Sequence, residues 1–252
     1  MIQLMRWPAM NLIPHITVLR RLSLEFVVLW LGLFVMVYWQ HPGLMAIFLK
    51  SFIGFLPHQP VLLANHILAP LSIPLEFSLD LSLMLSLPGL FIQIWRFIKP
   101  ALYRNERSML CILVSLSLSL LILGILFAWY WVLPFGMHLL TQHVPNNLLW
   151  LPSWSSLYHF VVWTLIFFGL AFQLPLIMCC GHYFGIFAYD RWQQLRRGWV
   201  VMAFIIGMIV TPPDVLSQLM VAIPLCLLYE LGLLMIRFFG SSAASVGNNE
   251  QH

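Results

Sequence analysis

Long apolar runs, separated by short polar or proline-rich stretches, set the pattern of this chain. They cover about residues 23–39, 73–95, 108–133, 157–180, 199–210 and 215–236. A helix needs ~20 mostly apolar residues to cross the hydrocarbon core of a bilayer. The pattern therefore predicts an all-α membrane protein with six transmembrane helices, forming a single domain over residues 1–252. The fifth run is bounded by Gly198 and by Pro212 and Pro213. At 1.5 Å per residue it reaches only about 18 Å against a core of ~30 Å, so a thinned bilayer or close packing against other spans is expected there. Residues 40–72 contain Pro57, Pro60, Pro70 and three histidines. This stretch is too broken for a span and too apolar for a linker, and it predicts short helices on an aqueous face. The Gly/Ser/Asn tail at 240–252 reads as flexible.

Composition agrees with the pattern: 62% of the residues are hydrophobic and 8% charged, where a soluble domain carries about 25% charged residues. A water-soluble globular fold is excluded. With six spans both termini lie on one side. Arg6, Arg20, Arg21, Arg96, Lys99, Arg104, Arg107, Arg191, Arg196, Arg197 and Arg237 then share that side, leaving only Lys50 of the 12 basic residues opposite. The positive-inside rule puts the termini in the cytoplasm or matrix and accounts for the net charge of +4 without nucleic acid. The first 22 residues contain no short apolar core with a small-residue cleavage site and no Arg-rich amphipathic stretch, so neither a removed secretory signal nor a transit peptide is expected. Cys111, Cys179, Cys180 and Cys226 all lie in apolar runs without C-x-x-C spacing and read as packing thiols. No cofactor or metal site is expected.

Intramembrane carboxylates are costly and usually functional, which draws attention to Glu25, Glu76, Asp80 and Glu230. Glu25 reads equally well as a group reaching headgroup water. Glu76 and Asp80 are four residues apart and share a helical face; a wet outer rim and a site are both open. Gln173 lies just before Pro175, placed to bond a backbone carbonyl freed by that proline. G-x-S-x-G, H-E-x-x-H and P-loop patterns are missing. An embedded enzyme using His159, Glu25 or Asp80 would need those groups at one depth, whereas the runs set them at different depths. The chain is not expected to be an enzyme.

Two clusters stand out. The inner loop reads Gln93-Ile-Trp95-Arg-Phe97-Ile-Lys-Pro100-Ala-Leu102-Tyr103-Arg-Asn-Glu106-Arg107, and the outer turn reads Gly207-Met208-Ile-Val-Thr211-Pro212-Pro213-Asp214-Val-Leu-Ser217-Gln218. Aromatic and basic anchors at the interface, and a proline turn with Asp214 capping the last span, would explain them without function. Both clusters, however, resemble the TatC family of twin-arginine translocase subunits. The resemblance continues through Ala222-Ile-Pro224 to Glu230 and includes His15-x-x-x-Leu19-Arg20 near the start.

That resemblance implies six spans with the fifth and sixth short. It also implies binding of twin-arginine signal peptides on the inner face, recruitment of TatA/TatB-type single-span partners into a larger oligomer, and export of folded proteins driven by the proton-motive force. Glu106 matches the family carboxylate that contacts the signal's arginines, with Arg20, Tyr103 and Arg104 around it. Such a carboxylate accepts charge-assisted, bidentate bonds from guanidinium groups. Met208, Thr211, Pro212, Pro213, Asp214 and Gln218 match positions near the partner-binding region. Two departures stand against the pattern: Val18 replaces a second signal-binding Glu, and Gln173 replaces a Glu in span four. Glu25, seven residues from Val18 and on the same face, is the available substitute. Scarce lysine and abundant Leu and Phe resemble the mitochondrially encoded plant forms, which would put the chain in the mitochondrial inner membrane; the alternative is a bacterial plasma membrane. The rival functions are a structural or assembly subunit of a respiratory complex and a membrane-embedded enzyme.

Overall fold

The computed structural model describes residues 12–53, 67–98, 107–142, 153–183, 185–210 and 215–247. Their elements are all helical: α1 (Leu12–Ile53), α2 (Ala69–Ile98), α3 (Arg107–Phe127), α4 (Leu133–Gln142), α5 (Trp154–Ala171), α6 (Leu174–Tyr183), α7 (Tyr189–Val210) and α8 (Val215–Gly247). A π-helical turn, Ala128–Val132, joins α3 to α4. Five stretches are long and apolar enough to cross a membrane: Val18–Ser51, Ala69–Ile98, Cys111–Leu139, Trp154–Tyr183 and Val215–Arg237. The expected fifth run is the apolar second half of α7, whose first half carries Asp190, Arg191, Arg196 and Arg197. The multi-pass helical fold is as the apolar pattern predicts; the fifth run is helical but is not among the five stretches, and the sixth, expected to be short, is 23 residues long and of full crossing length.

Three local expectations need correction. First, residues 40–53 are not short helices on an aqueous face, because α1 runs unbroken through Pro42 to Ile53. Proline has no N–H for the carbonyl four residues back, here that of Tyr38. The His41 ring takes that place, with Nδ1 2.6 Å from the Tyr38 oxygen. Second, Pro134 does not end the third span: Leu133 donates its N–H to Ala128, five residues back, and the chain passes into α4 through the wider turn. Third, α8 continues to Gly247, so residues 240–247 are helical where the composition reads as flexible.

The helices pair as neighbours crossing a bilayer would. Glu25 faces Arg96 and Phe48 faces Phe77, so α1 and α2 are antiparallel. Phe77 meets Tyr158, and Leu87 lies in one cluster with Val162 and Ile166, so α2 and α5 run parallel. α7 and α8 fold back on each other, with Gln218 bonded to the Phe204 carbonyl and Trp199 to that of Leu225. The main core gathers Ala128, Val132, Leu133, Met137, Leu157, Val161, Leu165, Phe168, Ala203, Val221, Ala222 and Leu225. Many other large apolar side chains face outward, among them Val28, Val35, Ile122 and Ile209, as lipid-facing positions should.

α3 and α5 approach each other closely. A Cβ added at Gly124 would lie 2.5 Å from the Phe168 carbonyl oxygen and 3.0 Å from the Gly169 Cα. Two glycines at one crossing let the backbones touch, the usual device of helix pairs that gain little from hydrophobic burial in lipid.

Candidate functional site

The inner end of the α1–α2 pair carries the described part of the expected signal-binding face. Arg21 Nε donates to Glu25 Oε1 at 3.1 Å, one turn along α1. Arg96 Nη1, from the last turn of α2, lies 3.8 Å from Glu25 Oε2. Arg20, Arg21, Leu24, Glu25, Val28 and Leu29 line an open groove of about 690 Å³ along α1. Along α1 its lining passes from Arg20 and Arg21 to Val28 and Leu29, the order expected of a side that faces water at one end and acyl chains at the other. The Gln93 amide, oriented to satisfy both its atoms, donates to the Leu22 carbonyl and accepts from the Phe26 N–H, 3.2 Å each. It fixes α2 against the groove from behind. Trp95 is buried in a cluster with Leu113 and Leu176.

Arg20 is exposed here, and so is Val18. Glu25 does not present a bare carboxylate: the chain's own Arg21 and Arg96 already flank it. Glu106, Tyr103 and Arg104 lie outside the described residues, as do Thr211, Pro212, Pro213 and Asp214.

What is described of the outer turn is close-packed. Gln218 Nε2 donates to the Phe204 carbonyl at 2.8 Å, and a Cβ on Gly207 would meet the Gln218 carbonyl oxygen at 3.0 Å. Met208 points outward, more than half exposed. Glu230 is not an isolated intramembrane carboxylate: Arg196, from the charged half of α7, donates to it, and both are partly exposed.

Gln173 is buried within the bundle. Its partner is not a carbonyl freed by Pro175 but Ser117 on α3, 56 residues earlier: Ser117 Oγ donates to Gln173 Oε1 at 2.9 Å, and Gln173 Nε2 donates to the Ser117 carbonyl at 2.8 Å. The amide both accepts and donates, so its oxygen and nitrogen are each satisfied in a dry setting. A carboxylate would set an acceptor against the Ser117 carbonyl.

One constellation was missed. The apolar runs put the candidate acid/base groups at different depths, and for Glu25 the structure agrees. Asp80 and His159, however, come together, with His159 Nδ1 2.6 Å from Asp80 Oδ2. Glu76 joins them, 3.4 Å from His159 Nε2, and Tyr158 donates to Glu76 at 2.8 Å. The 76/80 spacing marked one face of α2, but nothing in the sequence pairs that face with α5. Among the described residues no group of three or more His, Cys, Asp or Glu side chains is arranged to hold a metal ion.

Comparison with known proteins gives one answer. The family model described as "Sec-independent protein translocase protein (TatC)" matches residues 14–224. The TatC protein of Haemophilus influenzae is 33% identical over 242 residues, covering 95% of this chain and 94% of that protein. The Escherichia coli K12 protein of the same name is 30% identical over 228 residues, covering 90% and 88%. A solved structure titled "Crystal Structure of Twin Arginine Translocase Receptor- TatC" superposes with a TM-score of 0.78 at 29% identity, covering 89% of this chain and 98% of that one.

Proposed function

This chain belongs to the TatC family, and from that premise we propose that its inner face receives the paired arginines of signal peptides on folded cargo. It is a multi-pass component of the Sec-independent translocase and not an enzyme. The finer reading makes Glu106 the principal carboxylate for the signal's guanidinium groups. Arg20, Tyr103 and Arg104 border it, and TatA/TatB-type partners meet the outer turn around Met208, Asp214 and Gln218. Transport is driven by the proton-motive force.

The observation that carries this reading is the long inner-loop motif in the sequence, Gln93 to Arg107, whose described start is tied to the α1 groove by the Gln93 bridge and the Arg96–Glu25 contact. Glu25 is engaged by two of the chain's own arginines, so it is a poor replacement for the carboxylate missing at Val18. The signal therefore docks at the water-facing edge with one principal carboxylate. The low lysine content supports a mitochondrial inner membrane location, although the relatives named above are bacterial.

The test is the affinity of the purified chain for a peptide containing Arg-Arg. Binding should be lost when both arginines of the peptide become lysines. Glu106→Gln should weaken it about tenfold or more, since a charge-assisted bond is worth ~1.5–3 kcal/mol and 1.4 kcal/mol is one decade. Unchanged affinity in a folded Glu106→Gln variant would remove Glu106 from the site.

A further inference from the structure

We propose that Glu76, Asp80, Tyr158 and His159 form a proton-binding site at the outer end of the α2–α5 contact, taking a single proton from the outer solution. It shares no residue with the inner-face groove and does not depend on the signal-peptide reading.

The argument is a count of hydrogens. Three polar contacts converge on the site: His159 Nδ1 with Asp80 Oδ2 at 2.6 Å, His159 Nε2 with Glu76 Oε2 at 3.4 Å, and Tyr158 Oη with Glu76 Oε2 at 2.8 Å. Tyr158 Oη also lies 3.2 Å from His159 Nε2. A neutral imidazole carries one N–H and one lone pair, and an ionised carboxylate only accepts. With the ring neutral and both acids ionised, the tyrosine hydroxyl and one ring N–H must serve three contacts. Either tautomer leaves one ring nitrogen with its lone pair against a carboxylate oxygen. One added proton removes the conflict, because imidazolium donates from both nitrogens. A proton placed on Asp80 serves as well, by donating to Nδ1.

The surroundings make that deficit costly. Tyr158 is fully buried and the Asp80 side chain is 13% exposed. Asp80 Oδ2 is sealed from solvent, and the His159 ring, 2.6 Å away, is the group that can supply it with a donor. A buried acceptor left without a directed donor loses its hydration without replacement. Packed around the site are Leu44, Met45, Phe48 and Leu49 of α1, Phe77 of α2 and Trp154 of α5. Lys50, the charge at that end of α1, is exposed. Among the described residues, the charged groups that face Asp80 are His159 and Glu76. Entry is open on one side, because the side chains of His159 and Glu76 are 38% and 42% exposed. A proton arriving at the exposed pair is passed through the imidazole, Nε2 to Nδ1, to the sealed carboxylate.

The consequence is mechanical. α2 and α5 run parallel from this end, and their outer contact is complete only when the proton is present. Proton activity on the outer side thereby sets how tightly the two helices are joined.

The experiment is nitrogen-15 NMR of the full-length chain, reconstituted in lipid nanodiscs with labelled histidine rings, across a pH series. His159 is assigned by the signal that vanishes in His159→Gln. In the unaltered chain His159 should pass from imidazolium to neutral ring as pH rises. In Asp80→Asn its proton affinity should fall about tenfold or more, the size expected when an opposite charge within ~4–6 Å is removed. Glu76→Gln, at the longer contact and nearer water, should lower it by less. An affinity unchanged in Asp80→Asn, or a ring that never gains a proton, overturns the proposal. Should Asp80→Asn fail to fold, Glu76→Gln decides by the same criterion: a lowered affinity sustains the shared site and an unchanged one refutes it.

Discussion

Helix α5 is held by two polar contacts of opposite chemistry. Deep in the bundle, Gln173 at the α5–α6 break meets Ser117 on α3 through two complementary hydrogen bonds between uncharged groups. At the outer end, His159 and Tyr158 meet the two carboxylates of α2. The first contact has a donor for each acceptor and needs nothing from outside. The second is short of one hydrogen and can obtain it from water. Depth decides which chemistry is tolerable. An ion at the centre of a span costs ~2.5–3.5 kcal/mol on insertion scales, whereas an outer cluster with exposed members can exchange a proton. The inner contact is built to stay constant and the outer one to respond.

The sharpest way to break this contrast is to give the deep contact a titratable group. Gln173→Glu introduces the carboxylate expected from the family resemblance, but in this chain it sets an oxygen where Nε2 donates to the Ser117 carbonyl. Loss of that donor in a buried site costs ~1–3 kcal/mol, and more when the group is charged. Thermal unfolding should show a clear drop in stability at neutral pH. The drop should shrink as pH falls, because a protonated glutamic acid regains a donor for the Ser117 carbonyl. Stability equal to the parent at neutral pH would mean that the deep site accepts charge as readily as the outer one.

A somewhat smaller effect is expected from the crossing that brings Ser117 and Gln173 together. Gly124→Ala introduces a Cβ 2.5 Å from the Phe168 carbonyl oxygen, and that backbone atom has no rotamer by which to move aside. Separating α3 from α5 should cost ~1–3 kcal/mol, as overpacking does, and should lengthen the amide contact beside it. The outer cluster lies on α2 and α5, so the His159 titration should be preserved. A Gly124→Ala chain that unfolds like the parent would show that the crossing is looser than it stands here.

Much of this architecture was legible in one dimension. Apolar runs mark the spans because lipid offers the backbone no alternative partner, and the arginine asymmetry orients them. Glu25, four residues from Arg21, could be paired from helical spacing alone. Long-range polar contacts could not. Nothing near Gln173 points to Ser117, and nothing near Glu76 or Asp80 points to His159, because parallel neighbours such as α2 and α5 are joined by a whole intervening span. The start of the 40–72 stretch misled for another reason: its later prolines made the whole stretch read as broken, while the continuation of α1 through Pro42, with the His41 ring at the Tyr38 carbonyl, is visible only in three dimensions.

The smallest effect is expected at the inner end, where the contrast between buried and solvated charge can be completed. Glu25 lies between Arg21 and Arg96, and the side chains of those arginines are 82% and 64% exposed. Exposed ion pairs of this kind contribute ~0–1 kcal/mol, because water already solvates both partners and long side chains lose entropy on pairing. Glu25→Gln should therefore leave the unfolding temperature nearly unchanged. It should also leave affinity for an Arg-Arg peptide as it was, since the peptide would have to displace two resident guanidinium groups to reach that carboxylate. Val18→Glu should do the opposite, because it puts the carboxylate that the family resemblance leads one to expect at an exposed position nearer the water-facing edge. It should tighten peptide binding while Glu25→Gln does not loosen it. If Glu25→Gln instead weakens the peptide as much as Glu106→Gln, and the double variant loses less than the sum of the two, both carboxylates hold one guanidinium pair. Arg21 and Arg96 would then be placeholders for the ligand rather than permanent partners.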